Sequence, residues 1–172
     1  MIFISGVHGV GKSFFSEKIK EEYGLNTYMA SRLISDYKNC DFQPNKKVSN
    51  IIDNQKMLLL AIEEKSEKER TFLLDGHFCL IDNNNNITRI ELNTFEDLQL
   101  DAIVLLTEEP HIIACRRKNR DGISIDTTSI KEFQEEEIKY AIEVAERLHI
   151  PLFISRGTID IENAIRFIID NI

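Results

Sequence analysis

Eight residues near the N-terminus, Gly6-Val7-His8-Gly9-Val10-Gly11-Lys12-Ser13, spell G-x-x-x-x-G-K-S. The pattern constrains the chain strongly, because it binds phosphate only where a buried strand turns into a helix. Both neighbours are present. Met1-Ile2-Phe3-Ile4-Ser5 reads as an apolar strand, and a helix is expected over Lys12–Tyr23. Glycines at 6, 9 and 11 let the backbone fold tightly and aim its N–H groups inward at phosphate oxygens. The helix N-terminus adds positive partial charge. Lys12 is placed to reach the β- and γ-phosphates, and the Ser13 hydroxyl to ligate Mg²⁺. The expected nucleotide-binding run is Gly6, His8, Gly9, Val10, Gly11, Lys12, Ser13 and Phe14.

A strand–loop–helix start of this kind implies alternation, and the rest of the chain supplies it. Further strands are expected at Asn26–Ala30, Thr71–Asp75, Ala102–Thr107 and Pro151–Ser155. Helices are expected near Ser31–Lys38, Val48–Lys68, Pro110–Lys118, Ser129–Leu148 and Ile159–Ile169. Strands separated by helices give a parallel sheet covered on both faces. Pro110 suits a first helical turn, and Thr128 or Ser129, with Glu132, suits an N-cap. The run Asp82-Asn83-Asn84-Asn85-Asn86, between two apolar stretches, reads as the turn of a surface hairpin.

At 172 residues the chain is expected to be one domain, 1–172, and 42% apolar content is enough for a core. A net charge of −8 does not favour nucleic acid or a membrane surface. No apolar stretch reaches membrane-spanning length. Cys40, Cys79 and Cys115 have no paired or metal-binding spacing and are read as neutral thiols of a cytoplasmic protein. A removable leader at the N-terminus would take the phosphate loop with it.

Two further motifs carry chemistry. Thr71-Phe72-Leu73-Leu74-Asp75-Gly76-His77 is an apolar strand ending in an acid, as in a Walker B element. At the C-terminal edge of a parallel sheet Asp75 would hold Mg²⁺ through water, and His77 beside it could touch substrate. Arg116-Arg117-Lys118-Asn119-Arg120 closes a helix, with Arg116 and Arg120 on one face. They are assigned to neutralise charge on a transferring phosphoryl group, ahead of Arg117, with 116–130 as a short lid. Catalytic roles therefore fall to Lys12, Asp75, Arg116 and Arg120.

These residues together resemble the adenylate kinase-like group of P-loop nucleotide kinases, over nearly the whole chain. Asp75-Gly76-His77 is similar to the Asp-x-His of archaeal-type adenylate kinases; the Asp-Gly-Phe-Pro-Arg arginine of bacterial-type enzymes is missing. The resemblance implies a three-layer P-loop NTPase fold with a five-stranded parallel sheet in order 2-3-1-4-5. It implies γ-phosphoryl transfer from Mg·ATP to a nucleoside monophosphate. Arg116 and the loop Arg156-Gly157-Thr158 would then lie against the nucleotide, and 31–70 would bind the acceptor. Within 31–70, Arg32 could grip a phosphate and Gln55 a base edge; Arg89 is a weaker substitute for the missing arginine. Two alternatives stand beside this. One is a kinase of the same fold acting on a nucleoside, sugar or other alcohol. The other is an ATP-dependent switch working through a protein partner, as a monomer or small homo-oligomer. Glu132, Glu135, Glu136 and Glu137 read as a solvated helix face, and Leu58, Leu59, Leu60 and Ile62 as core-facing.

Overall fold

The structure, a computed structural model, describes residues 1–40, 51–82, 84–122 and 124–172, without the side chains of 38–40 and 51–53. The main sheet contains β1 (Ile2–Ser5), β2 (Thr27–Met29), β3 (Leu73–Asp75), β6 (Ala102–Thr107) and β7 (Leu152–Arg156). Its order is β2-β3-β1-β6-β7, with every neighbouring pair parallel. Counting these five strands alone, the order is the expected 2-3-1-4-5. A two-stranded antiparallel ribbon, β4 (Cys79–Ile81) with β5 (Ile87–Arg89), lies outside it.

Among the described residues there are seven α-helices, α1 (Lys12–Tyr23), α2 (Ala30–Cys40), α3 (Ile51–Lys68), α4 (Leu92–Asp97), α5 (Pro110–Asp121), α6 (Thr127–Leu148) and α7 (Ile161–Asp170), and a 3₁₀ turn at Gly157–Asp160. The expected start of α3 at Val48 lies outside the described residues, as do residues 41–47 before it. Strand side chains alternate between the two faces, so each face builds its own core. On one, Phe3 and Leu74 meet Leu58, Phe78, Phe95 and Tyr140. On the other, Ile2, Ile4 and Leu73 meet Phe15, Ile19 and Ile165. Three layers follow from that division.

Three local expectations need correction. The N-cap of α6 is Asp126, two residues before Thr128 and three before Ser129, and it makes no side-chain cap bond. The helix α4 was not foreseen: at six residues it is too short for a periodic signal, and Phe95 (1% exposed), packed on Phe3 and Phe78, anchors it. Leu60 is 46% exposed, unlike Leu58 and Ile62. The hairpin turn is held by Asp82, whose Oδ1 accepts from the N–H groups of Asn84 and Asn86, both at 2.8 Å, while Asn85 takes the left-handed φ of 62°.

Candidate active site

The phosphate loop leaves β1 at its C-terminal end and runs into α1. Gly11 is the N-cap of that helix, no side chain caps it, and its first turn contains no acid. The helix therefore presents unpaired N–H groups and positive partial charge to whatever enters the loop. Gly9 has φ +90°, and a Cβ there would come within 2.7 Å of Arg117 Cγ. The cradle is thus shaped by backbone and could not admit a larger residue without moving Arg117.

Lys12 folds back over the loop, donating to the Gly6 carbonyl and lying 3.7 Å from Asp75 Oδ1. Burial lowers the Lys12 pKa, against the opposing pull of Asp75 and Glu137, and burial raises that of Asp75 against Lys12 and His77. Both shifts have desolvation as their first cause. A dry site of this kind strengthens every charge interaction within it. Asp75 reaches it because β3 pairs with β1, opposite Ile4. Gly76 continues that pairing by donating to the Ile4 carbonyl at 3.0 Å. Its missing side chain makes room for the Phe3 ring, which a Cβ would meet at 2.7 Å.

Arg116 lies over the loop from α5. Its Nη1 donates to the Val10 carbonyl at 2.7 Å and its Nη2 to Glu108 Oε2 at 2.9 Å. Glu108 follows β6, and its backbone N–H and carbonyl are both bonded to the Gln134 amide. Arg120, further along the same face, is clamped by the Asp121 carboxylate through two donors at 2.6 and 2.8 Å and remains largely exposed. Arg117, ranked below both by sequence, packs on Gly9 and keeps its buried Nε unpartnered. Within 116–130, the stretch expected to form a lid, α5 runs to Asp121 and α6 starts at Thr127.

Two cavities open from the loop. A smaller one of about 360 Å³ is lined by Val10, Phe14, Thr107, Gly157 and Thr158. Of the three loop residues assigned to the base, Gly157 and Thr158 reach this cavity. Arg156 is exposed, and its N–H donates to Asp160 Oδ2 at 2.9 Å. The larger cleft, about 1090 Å³, runs from Lys12, Ser13, Asp75, Arg116 and Arg120 outward between α2, α3, α4 and the hairpin. His77 and Gln55 line it. Arg32 does not: its side chain is 78% exposed and sits 3.8 Å from Asp36 on α2. Arg89 is not available either. Glu136 and Glu143 hold it at 2.6 and 2.8 Å, and it stacks on Tyr140.

The four-glutamate helix face also needs correction. Glu137 is fully buried. Its Oε2 accepts from Ser5 Oγ at 2.6 Å, and its Oε1 from the N–H groups of Phe78 and Cys79 at 2.9 and 2.8 Å. His77 Nδ1 lies 3.7 Å from the same oxygen. One carboxylate thus joins β1, just before the phosphate loop, to the segment following Asp75. A sequence signal existed: Glu137 falls on the stripe Ile130-Phe133-Glu137-Tyr140-Ala141-Val144, whose other members are apolar.

The His77 ring packs against that of His8 at a tilt of 57°, with ring centroids 4.6 Å apart. The His8 pKa falls to about 4, through desolvation first and then the fields of His77, Lys12, Arg117 and Arg120. An imidazole whose native pKa lies below its unfolded value takes up protons more readily when unfolded. Stability should therefore fall as pH drops from about 6.5 towards about 4. Urea titrations across that window should show a smaller loss for His8→Asn than for the parent chain. Equal losses would mean that His8 does not couple to folding.

A family model described as an AAA domain, AAA_17, matches residues 5–134. The chain belongs to that family. This AAA-domain chain is 29% identical over 119 residues to a putative adenylate kinase of Methanocaldococcus jannaschii. The match covers 69% of the chain and 58% of that relative, so it spans little more than half of the relative's length. Similar solved structures include a gluconokinase from Sinorhizobium meliloti 1021 (TM-score 0.52, 18% identical, 99% of this chain and 89% of that one). A deoxyadenosine kinase from M. mycoides with bound dATP gives TM-score 0.54 at 16% identity, over 98% and 97%. A sugar kinase from Janibacter sp. HTCC2649 gives 0.57 at 13%, over 99% and 92%. At these identities the structures show a shared fold and nothing more. Among the described residues, no helix is long and apolar enough to cross a membrane.

Proposed function

We propose that this AAA-domain chain is a phosphotransferase that moves the γ-phosphoryl of Mg·ATP to a small acceptor bound in the larger cleft. The observation that carries this reading is the continuity of that cleft. One wall is the phosphate loop with Lys12, Asp75 and Arg116, and the other is a walled space beyond the sheet edge, large enough for a second molecule. A hydrolytic switch needs only the first wall. The smaller cavity beside Gly157 and Thr158 would take the adenine ring. Mg²⁺ fits the exposed Ser13 hydroxyl and, through water, Asp75, where it would neutralise charge on the β- and γ-phosphates. Lys12 and Arg116 would hold the γ-phosphoryl group in line with the acceptor. Positioning and charge neutralisation supply most of the rate in such reactions. Mg·ATP as the donor would fit a cytoplasmic setting.

Two acceptor classes suit this reaction. A nucleoside monophosphate is the acceptor suggested by the likeness to a putative adenylate kinase. A hydroxyl acceptor is favoured by the positions of Arg32 and Arg89, neither of which faces the cleft. Release of ADP from ATP should rise at least tenfold above background when the right acceptor is added from a panel of nucleosides, nucleoside monophosphates and sugars. Background turnover with all of them, beside nucleotide-dependent capture of a protein, would favour the switch.

A further inference from the structure

The outer half of the larger cleft has an unusual lining. Ile34, Leu58, Leu80, Phe95 and Leu98 make it apolar. Set among them are three polar side chains with buried atoms that have no hydrogen-bond partner: Asn54 Oδ1, Gln55 Nε2 and Thr94 Oγ1. Thr94 is only 6% exposed. Buried polar atoms are normally paired, and an orphan destabilises the fold that contains it. Three orphans around the outer half of this cleft, besides His77 Nδ1 nearer the phosphate loop, mark where a ligand supplies the missing partners. Adjacent amides from one helix, each with a donor and an acceptor, match the edge of a planar heterocycle. The apolar walls match its faces. A polyol would leave most of its hydroxyls unpaired against such walls.

Charge points the same way. Among the described residues lining the cleft, the cations are Lys12, Arg116 and Arg120, all at the phosphate-loop end. A monophosphate acceptor would bring its own negative charge to a half of the cleft where no described cation meets it.

We propose that the acceptor is a neutral planar nitrogen heterocycle with a hydroxyl-bearing arm, the chemistry of an unphosphorylated nucleoside, read by Asn54, Gln55 and Thr94. This rests on the phosphotransfer reading above. The hydroxyl oxygen forms a bond to the γ-phosphorus while the bond to the β–γ bridging oxygen breaks. ADP leaves with that electron pair, and the hydroxyl proton passes to the Asp75 carboxylate and on to solvent.

The test uses the full chain with Mg·ATP and three acceptor sets: the common nucleosides and deoxynucleosides, their 5′-monophosphates, and neutral sugars. At least one nucleoside should exceed its own monophosphate by roughly 100-fold in kcat/KM, as expected where a site lacks the partner for an added charge. Asn54→Leu and Gln55→Met should each raise the nucleoside KM by roughly 10- to 100-fold while the KM for ATP holds. Asn54→Leu should also raise Tm without ligand, because it removes an orphaned atom. A monophosphate or a sugar outpacing every nucleoside would overturn the proposal and leave phosphoryl transfer standing. Turnover with none of the three sets would overturn both. A lower Tm for Asn54→Leu, with nucleoside KM unchanged, would show that these side chains serve packing and would likewise overturn the proposal.

Discussion

Replacing Lys12 by alanine should lower kcat by about 10²- to 10³-fold, the usual loss when one preorganised charge is withdrawn from a transferring group. The side chain is largely buried, folded over the loop beside Gly6 and Asp75, and has no other evident task. The fold should survive, since the loop is held by backbone contacts such as Val10 N–H to the Val7 carbonyl at 3.1 Å. One secondary effect has a definite sign. Lys12 holds the Asp75 pKa down against burial, so its removal pushes that pKa further up. A carboxyl group with a raised native pKa binds protons more tightly when folded. The variant should therefore gain stability relative to the parent chain as pH falls through that raised value. Steady-state ADP release, with circular dichroism to confirm folding, reads both outcomes. Activity within a factor of two of the parent would displace the site from this loop.

The largest expected effect on stability comes from Glu137. Glu137→Ala would strand the Ser5 hydroxyl and two backbone N–H groups in a dry interior. Removing the acceptor from such a cluster costs about 3–5 kcal/mol, a large share of a small domain's stability. Glu137→Gln keeps an oxygen for the Phe78 and Cys79 N–H groups and offers an N–H to Ser5 Oγ. It should lose only about 1–2 kcal/mol. Equilibrium unfolding in urea separates the two. Because Glu137 ties β1 to the segment that follows Asp75, the Gln variant should also misplace His77 slightly and lower kcat more than it raises the KM for ATP. Equal stability of the two variants would mean that the carboxylate is not the joint described here.

Much of this molecule was legible in the residues. The phosphate loop, the strand ending in Asp75 and the strand–helix alternation are local patterns, so β1, α1 and β6 fall where the sequence puts them. The order of the parallel strands came through resemblance, since crossover order leaves no mark on hydrophobic period. What failed to show depends on tertiary partners. Glu137 looks like one of a run of surface acids until α6 is docked with that face inward. Arg32 and Arg89 look like free cations until Asp36, Glu136 and Glu143 are placed beside them. Asn54 and Thr94 are unremarkable polar residues until apolar neighbours close around them. The outer half of the cleft was the least readable part for that reason: it is assembled from α2, α3, α4 and the hairpin, and what distinguishes it is which polar atoms are left unpaired.

The central claim is that the two halves of one cleft exchange a phosphoryl group. Product analysis by phosphorus NMR and mass spectrometry, with ATP, Mg²⁺ and a mixture of candidate acceptors, tests it most directly. The expected result is ADP together with an equal amount of one phosphorylated acceptor and little inorganic phosphate. ADP matched by inorganic phosphate, with every acceptor recovered unmodified, would contradict it.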